Sequence, residues 1–157
     1  MVNVKKIAGL ILAFFALAWI SPLLFSHCQV PCGIYDDQMR IKMMEENITT
    51  IEKAMTQVIA LTKEATPNYN QIVRWVMNKE KHAEELSDIV TYYFMAQRLP
   101  LVPKTDEKNY AAYQEKLELL HQLLFYTMKS KQSTDLTVIK TMRDLLKKFE
   151  EAYFGKK

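Results

Sequence analysis

Four segments of the chain carry apolar residues spaced mostly three or four positions apart, and this spacing constrains the fold more than any other feature. It places the apolar side chains of each segment along one stripe of an α-helix. The stripes are Ile41, Met44, Ile48, Ile51, Met55 and Val58; Ile72, Val76, Ala83, Leu86, Val90 and Tyr93; Tyr110, Tyr113, Leu117, Leu120, Leu124 and Met128; and Leu136, Ile139, Met142, Leu146, Phe149 and Tyr153. The pattern predicts four amphipathic helices.

The signals between the stripes predict where these helices begin and end. The first helix is predicted over about residues 36–62, and the second begins after Pro67-Asn68 and ends before Pro100. Ser133 and Thr134 are predicted to cap the fourth helix, with Asp135 in its first turn. The connections at residues 63–66 and 131–132 are short, and the stretch 98–108 is the long one. Short connections favour antiparallel neighbours, so an up-down four-helix bundle is predicted.

Composition supports the same fold class and excludes some functions. The chain has 157 residues, 49% of them hydrophobic, with three glycines and five prolines, which suits a single all-α domain. Net charge is +3, with 21 basic and 18 acidic residues. Two of the basic residues, Lys5 and Lys6, lie near the N-terminus before any acidic residue. The basic residues are interleaved with acidic ones, so no nucleic-acid-binding surface is predicted.

The first 26 residues have the layout of a secretory signal peptide. Lys5 and Lys6 precede an apolar run over residues 7–25, and Ser26 supplies a small residue before the predicted cleavage. We therefore expect a leader peptidase to cut before His27 and the remainder to be exported, to the periplasm or the outside of the cell. The alternative is an uncleaved anchor, because 19 apolar residues approach the ~20 that span a bilayer.

A cut before His27 would bring five potential metal ligands together in one short hook, residues 27–35. They are the new α-amine and the imidazole of His27, the backbone amide nitrogen of Cys28, and the thiolates of Cys28 and Cys32. An amine, an adjacent amide and a thiolate can close two five-membered chelate rings, and Cys32 can supply a second in-plane sulfur. A square-planar site of nitrogen and sulfur points to nickel or copper rather than zinc.

The string His27-Cys28-Gln29-Val30-Pro31-Cys32-Gly33-Ile34-Tyr35, placed after a removable leader, resembles the nickel hook of nickel-containing superoxide dismutase. The resemblance implies an enzyme with a nickel cofactor that disproportionates superoxide to dioxygen and hydrogen peroxide as nickel alternates between its (III) and (II) states. It also implies a homohexamer. His27, Cys28 and Cys32 are the metal ligands it implies, and Tyr35 joins them as a catalytic residue.

The other residues of the hook have mechanical explanations. Pro31 stiffens the turn that brings Cys32 back to the metal, and Gly33 permits a sharp exit. Tyr35 has two possible roles: its phenol can hydrogen-bond an incoming small oxyanion or an ordered water, or it can pin the hook to the bundle. The resemblance extends to Tyr93-Phe94, which matches a second active-site tyrosine followed by an aromatic residue.

Two positions depart from the family pattern. His82, within Lys79-Glu80-Lys81-His82-Ala83-Glu84, stands where family members carry an arginine that supports the axial histidine, and Lys42 replaces a glutamate that would accept a hydrogen bond from it. Leu120-His121-Gln122-Leu123 matches a segment of the third helix. Neither His82 nor His121 is predicted to bind metal, since a lone histidine on a helix is usually a surface or interface residue.

Two other functions remain open at this stage. An exported protein with two cysteines often forms a disulfide, so Cys28 and Cys32 could bridge in a membrane-anchored interaction module. A four-residue loop at a free terminus would stabilise the fold little, which weakens that alternative. The second alternative is an exported nickel or copper carrier that uses the same hook without turnover. The predicted organisation is a leader at residues 1–26, the nickel hook at 27–35 and the bundle at 36–157.

Overall fold

The computed structural model describes residues 35–155 of the chain. The predicted leader and residues 27–34 of the hook lie outside these described residues, so the predictions made for them stay predictions. Within the described range every regular element is helical and there is no strand. The prediction of an all-α chain that folds as a helical bundle is confirmed.

The helices agree closely with the boundaries predicted from the sequence. They are α1 (Asp37–Thr62), α2 (Tyr69–Asp88), a π-helix (Ile89–Arg98) that continues α2, α3 (Glu107–Gln132) and α4 (Leu136–Phe154). Each α-helix begins with an acidic or amide side chain that accepts a hydrogen bond from a backbone N–H of the first turn, which stabilises the helix start. These capping residues are Asp36, Asn68, Asp106 and Asp135.

The predicted cap of the fourth helix is wrong by one or two residues. Asp135, not Ser133 or Thr134, is the N-cap, and its carboxylate accepts from both the backbone N–H (2.9 Å) and the hydroxyl (2.8 Å) of Thr137. Ser133 instead accepts a hydrogen bond from the Asp135 N–H. A carboxylate that accepts two hydrogen bonds is the stronger cap, which explains why the helix begins one position later than the serine and threonine suggested.

Pairs of side chains far apart in sequence show that neighbouring helices run antiparallel. Between α1 and α4, Gln38 contacts Glu150 and, further along α1, Glu52 contacts Arg143 at 2.6 Å. Between α2 and α3, Glu80 contacts Lys131. Helix α1 also runs antiparallel to α2 and the π-helix. Its first residue, Asp37, contacts Arg98, and Asn47, further along α1, contacts His82. The start of α1 and the ends of the π-helix and α4 therefore share one end of the bundle.

The core contains most of the predicted stripes, but Val76 of the second stripe and Leu136 of the fourth are 37% and 41% exposed, and the third stripe is partly wrong. On α3 the buried positions are Leu120, Leu123, Thr127 and Ser130, whereas Met128, which was predicted to be buried, is 53% exposed. The hydroxyls of Thr127 and Ser130 donate to backbone carbonyls of their own helix. Because their hydrogen bonds are satisfied, these small polar residues can occupy the buried face that the hydrophobic pattern had assigned to larger side chains.

Lys79 is a buried cation that joins α2 to the connection between α3 and α4. Its side chain is 5% exposed, and its ammonium donates to the backbone carbonyls of Lys131 (2.6 Å) and Ser133 (3.2 Å). Carbonyls at a helix C-terminus lack partners within the helix and carry partial negative charge. Lys79 therefore caps the end of α3 from a neighbouring helix. Burial lowers the pKa of this lysine, with the Glu80 carboxylate opposing the shift.

No helix within residues 35–155 is both long enough and apolar enough to cross a membrane.

Replacing Lys79 with methionine should destabilise the bundle by about 2 kcal/mol, because two buried carbonyls lose a charged donor. The measurement is the free energy of unfolding from urea titrations at pH 7. Lys81→Met is the matched control: Lys81 is 71% exposed and, among residues 35–155, pairs only with Glu85 one turn later, so its loss should cost no more than about 0.5 kcal/mol. Equal stabilities of the two variants would contradict the capping role of Lys79.

Candidate functional site

The end of the bundle nearest the predicted hook is organised around the carboxylate of Asp37, the first residue of α1. Its oxygens accept hydrogen bonds from the hydroxyls of Tyr93 (2.7 Å) and Tyr153 (2.9 Å) and from two nitrogens of Arg98 (2.8 and 2.7 Å). The Asp37 side chain is 15% exposed. One carboxylate thus joins α1, the π-helix and α4, and its position at a helix N-terminus adds to its stability.

The π-helix is what lets Tyr93 and Arg98 reach the same carboxylate. Residues five apart in an α-helix point in directions about 140° different, because each residue turns the chain by about 100°. In a π-helix the hydrogen bond joins residues five apart and brings them to one face. That pattern is seen here in the bond from the Leu99 N–H to the Phe94 carbonyl at 3.0 Å. Tyr93 and Arg98 therefore both face Asp37.

The surroundings of Asp37 favour its ionised form and the neutral forms of its two tyrosine partners. Arg98 is the main cause that lowers the pKa of Asp37 from 3.8 to about 2; burial opposes it, and the two tyrosine hydroxyls add to it. Burial and the adjacent carboxylate raise the pKa of Tyr93 to about 12, and the same causes raise that of Tyr153 to about 12. At neutral pH both phenols stay protonated, and their hydroxyls donate hydrogen bonds to Asp37.

Tyr35, the last residue of the predicted hook, packs on this network through its ring. The ring meets Tyr93 edge-on with centroids 5.9 Å apart, and the Arg98 guanidinium carbon lies 4.3 Å from the Tyr35 ring centroid. Tyr35 is 38% exposed, and within residues 35–155 its hydroxyl makes no hydrogen bond. The ring is therefore held while the hydroxyl stays available, an arrangement compatible with both roles considered for Tyr35.

Two guanidinium groups flank the tyrosine pair, and they differ in what neutralises them. Arg98 forms a two-point ion pair with Asp37. Arg40, on the first turns of α1, lies over the Tyr93 ring with its guanidinium carbon 4.9 Å from the centroid. Among the described residues its one hydrogen-bond acceptor is the Met43 sulfur at 3.5 Å, and no carboxylate of that part of the chain lies within ion-pair distance of it.

The structure brings together two of the predicted site residues, Tyr35 and Tyr93. The predicted ligands His27, Cys28 and Cys32, and the supporting residues Pro31 and Gly33, lie outside the described residues. Asp37, Arg98 and Tyr153 were not singled out from the sequence. Nothing in the apolar pattern marks them, because their contact depends on the π-helix and on the packing of α4 against α1.

His82 lies elsewhere, in the groove between α1 and α2. Its Nδ1 lies 2.7 Å from the Asn47 side-chain oxygen and 3.3 Å from a Glu85 oxygen. Met43, Glu46 and Asp88 help to line the same open cavity of about 350 Å³. His82 precedes Tyr93 by eleven residues, or roughly 16 Å of helix, so within one chain it does not approach the Tyr35–Tyr93 pair. Lys42 and His121 are exposed on outer faces of their helices.

Within residues 35–155 no three His, Cys, Asp or Glu side chains are close enough together to hold a metal ion. The hook differs chemically from the described part of the chain, since it contains both cysteines of the sequence beside a histidine. Two thiolates with nitrogen donors form a soft, strongly donating set that suits nickel. The donor set of the hook therefore fits a nickel ion.

Comparison with known families finds one description that covers most of the chain. The model of the family described as nickel-containing superoxide dismutase matches residues 23–157. The matched region includes the whole hook and every described helix. Searches among curated proteins and among solved structures find no significant match.

Replacing Asp37 with asparagine should remove a pH-dependent part of the stability. The folded-state pKa of Asp37 is about 2 and its ordinary value is 3.8. Its contribution, about 2 kcal/mol at neutral pH, is present above the ordinary pKa and is lost as the pH falls toward 2. The difference in free energy of unfolding between the wild type and Asp37→Asn should therefore shrink by about 1.5 kcal/mol between pH 5 and pH 2.5.

Asp144→Asn is the matched control for this measurement. Asp144 is 55% exposed and pairs with Lys140 on its own helix, so its replacement should leave the free energy of unfolding nearly unchanged. A difference between the wild type and Asp37→Asn that stays constant over the whole pH range would show that the Asp37 charge does not stabilise the fold.

Proposed function

This chain belongs to the nickel-containing superoxide dismutase family, and from this membership we propose that residues 27–35 hold the metal in the mature protein. The chain is a superoxide dismutase, and nickel is its cofactor. The observation that carries the proposal is that the family match begins at residue 23 and so takes in the complete hook. Its residues are the ones whose donor chemistry fits nickel.

In the proposed site His27, Cys28 and Cys32 are the metal ligands. The thiolates of Cys28 and Cys32, the amine and imidazole of His27 and the backbone amide nitrogen of Cys28 would hold the nickel ion. Strongly donating thiolate and amide groups stabilise the higher oxidation state of nickel. When bound, nickel would supply the one-electron redox chemistry that disproportionation of superoxide requires.

Tyr35 and Tyr93 are the described residues with proposed roles beside the metal. The Tyr35 hydroxyl is proposed to hydrogen-bond the incoming oxyanion or a water beside it, since its ring is packed while its hydroxyl has no partner among residues 35–155. Tyr93 holds that ring from the side. The Tyr93 hydroxyl donates a hydrogen bond to Asp37 at 2.7 Å. The pKa of Tyr93, about 12, makes it a poor proton donor to substrate. Tyr93 is therefore proposed to position Tyr35.

The mature enzyme is proposed to begin at His27 and to be exported. The family match leaves out residues 1–22, which agrees with a leader that is not part of the folded enzyme. Cleavage is a chemical requirement of the proposed site, because the His27 nitrogen is an amide in the uncut chain and an amine only after the cut. An amide at that position cannot provide the neutral amine donor.

A homohexamer is proposed for the assembled enzyme. Exposed apolar side chains on α2 and α3 provide surfaces for contacts between copies: Tyr69 is 72% exposed, Val73 55%, Met77 66%, Phe125 52% and Met128 53%. Tyr69, Val73 and Met77 are spaced four residues apart, which places them on one face of α2. Contiguous apolar surface of this kind favours association.

Purified protein that begins at His27 and is loaded with nickel should consume superoxide through many turnovers per nickel ion. The matched control is the same chain with Ser26 retained, which differs by one residue and converts the His27 amine into an amide. Its activity should fall by more than about tenfold, since even the loss of a group behind a metal ligand costs about that much. The measurements are superoxide decay after pulse radiolysis and nickel content per chain. Superoxide loss that stops at one equivalent per nickel would indicate a carrier rather than an enzyme.

Protein isolated from its natural producer should have an intact mass that corresponds to a chain starting at His27. Ser26→Leu should retain the leader, because signal peptidases require a small residue before the cut. A wild-type chain that still starts at Met1 would rule out the proposed maturation if its mass is also lower by two hydrogen atoms, which indicates a disulfide between Cys28 and Cys32.

A further inference from the structure

The two guanidinium groups beside the tyrosine pair have different electrostatic surroundings, although both lie against aromatic rings. Arg98 gives two hydrogen bonds to Asp37, so its charge is matched by a carboxylate at 2.7 Å. Arg40 has no such partner within the described residues. Arg40 is therefore a cation at this end of the bundle whose charge no described carboxylate neutralises.

The Arg40 guanidinium also keeps most of its hydrogen-bond donors. A guanidinium has five N–H donors, and the acceptor found for Arg40 among residues 35–155 is the weak Met43 sulfur at 3.5 Å. Its carbon lies 4.9 Å from the Tyr93 ring centroid, a stacking contact that fixes the group without neutralising it. A held, unneutralised guanidinium is well suited to attract a small anion.

The location of Arg40 connects it to the proposed site. It stacks on Tyr93, and the ring of Tyr93 contacts Tyr35. Both contacts are short, at 4.9 Å from the Arg40 guanidinium carbon to the Tyr93 centroid and 5.9 Å between the two ring centroids. At such distances a single charge acts on an incoming anion at low ionic strength, where the Debye length is about 30 Å at 0.01 M.

We propose that Arg40 is an anion-guiding residue that raises the rate at which superoxide reaches the Tyr35–Tyr93 end of the bundle. This inference rests on the proposed function, since it takes superoxide as the anion. Arg40 acts on the encounter and has no part in proton or electron transfer. Arg98 has no equivalent role, because Asp37 neutralises it.

The kinetic test compares variants of the nickel-loaded protein that begins at His27. Arg40→Gln should lower kcat/KM for superoxide by about threefold to tenfold at 0.01 M ionic strength, and the difference should disappear by about 0.3 M as salt screens the charge. Arg40→Lys keeps the charge and should retain most of the wild-type rate. Lys53→Gln is the control: Lys53 is an exposed cation on the same helix, about 20 Å further along, and its loss should change the rate by less than about twofold.

A binding measurement gives a second readout that does not depend on turnover. Sodium azide, a small monovalent anion, is added to the wild-type protein while the Nε–H resonances of the arginines are followed by NMR. The Arg40 resonance should shift in a saturable way. Arg74, an exposed arginine without an ion pair among the described residues, is the internal control and should shift little and without saturation.

The outcomes separate this inference from the proposed function. If the wild type turns over superoxide while Arg40→Gln keeps the same rate and salt dependence as Lys53→Gln, the guiding role of Arg40 is wrong and the enzyme assignment stands. An azide response of Arg40 no stronger than that of Arg74 would also overturn it. If the wild type fails to turn over superoxide, the proposed hook chemistry fails, and the azide titration still decides whether Arg40 attracts anions.

Discussion

The described structure depends on one interaction, the hydrogen bonding of the partly buried Asp37 carboxylate to Arg98, Tyr93 and Tyr153. A buried carboxylate is costly unless its oxygens are paired and hydrogen-bonded, and here every partner comes from an element distant in sequence. The aromatic rings next to this carboxylate pack into the core. The ring centroid of Phe94 lies 5.0 Å from that of Phe149 and 5.4 Å from that of Tyr153. The polar end and the aromatic part of the core therefore stabilise each other.

The same interaction separates structural from functional side chains at this end of the bundle. Asp37 accepts the hydrogen bonds of the Tyr93 and Tyr153 hydroxyls and neutralises the charge of Arg98. These three side chains therefore have little capacity to act on a substrate. Tyr35 and Arg40 lie against the same rings, yet neither binds Asp37. The site is thus built from pairs of like residues, in which one member is committed to the fold and the other keeps its hydroxyl or its charge.

The helices were predictable because apolar spacing and capping residues are local signals. Helix α1, and α2 taken together with the π-helix, begin and end within about a residue of the predicted positions. The buried face of α3 was not fully predictable, because Thr127 and Ser130 are polar by type and are satisfied by their own backbone. The Asp37 network was not predictable either, since Tyr93 and Arg98 share a face only in a π-helix. For the hook the sequence was more informative than the fold, because the chemistry of His27, Cys28 and Cys32 is carried by residue type and order.

The hydrogen bond between Tyr153 and Asp37 has a practical consequence for work with this protein. It places the last turn of α4 directly against the first turn of α1, so the described chain starts and finishes at the same end of the bundle. Any affinity tag or fusion partner joined after Gly155 would emerge beside Tyr35 and Arg40, where its bulk and charge would obstruct small anions. Purification handles are better inserted in the connection between α1 and α2, residues 63–68, which lies at the opposite end of the bundle and is mostly exposed.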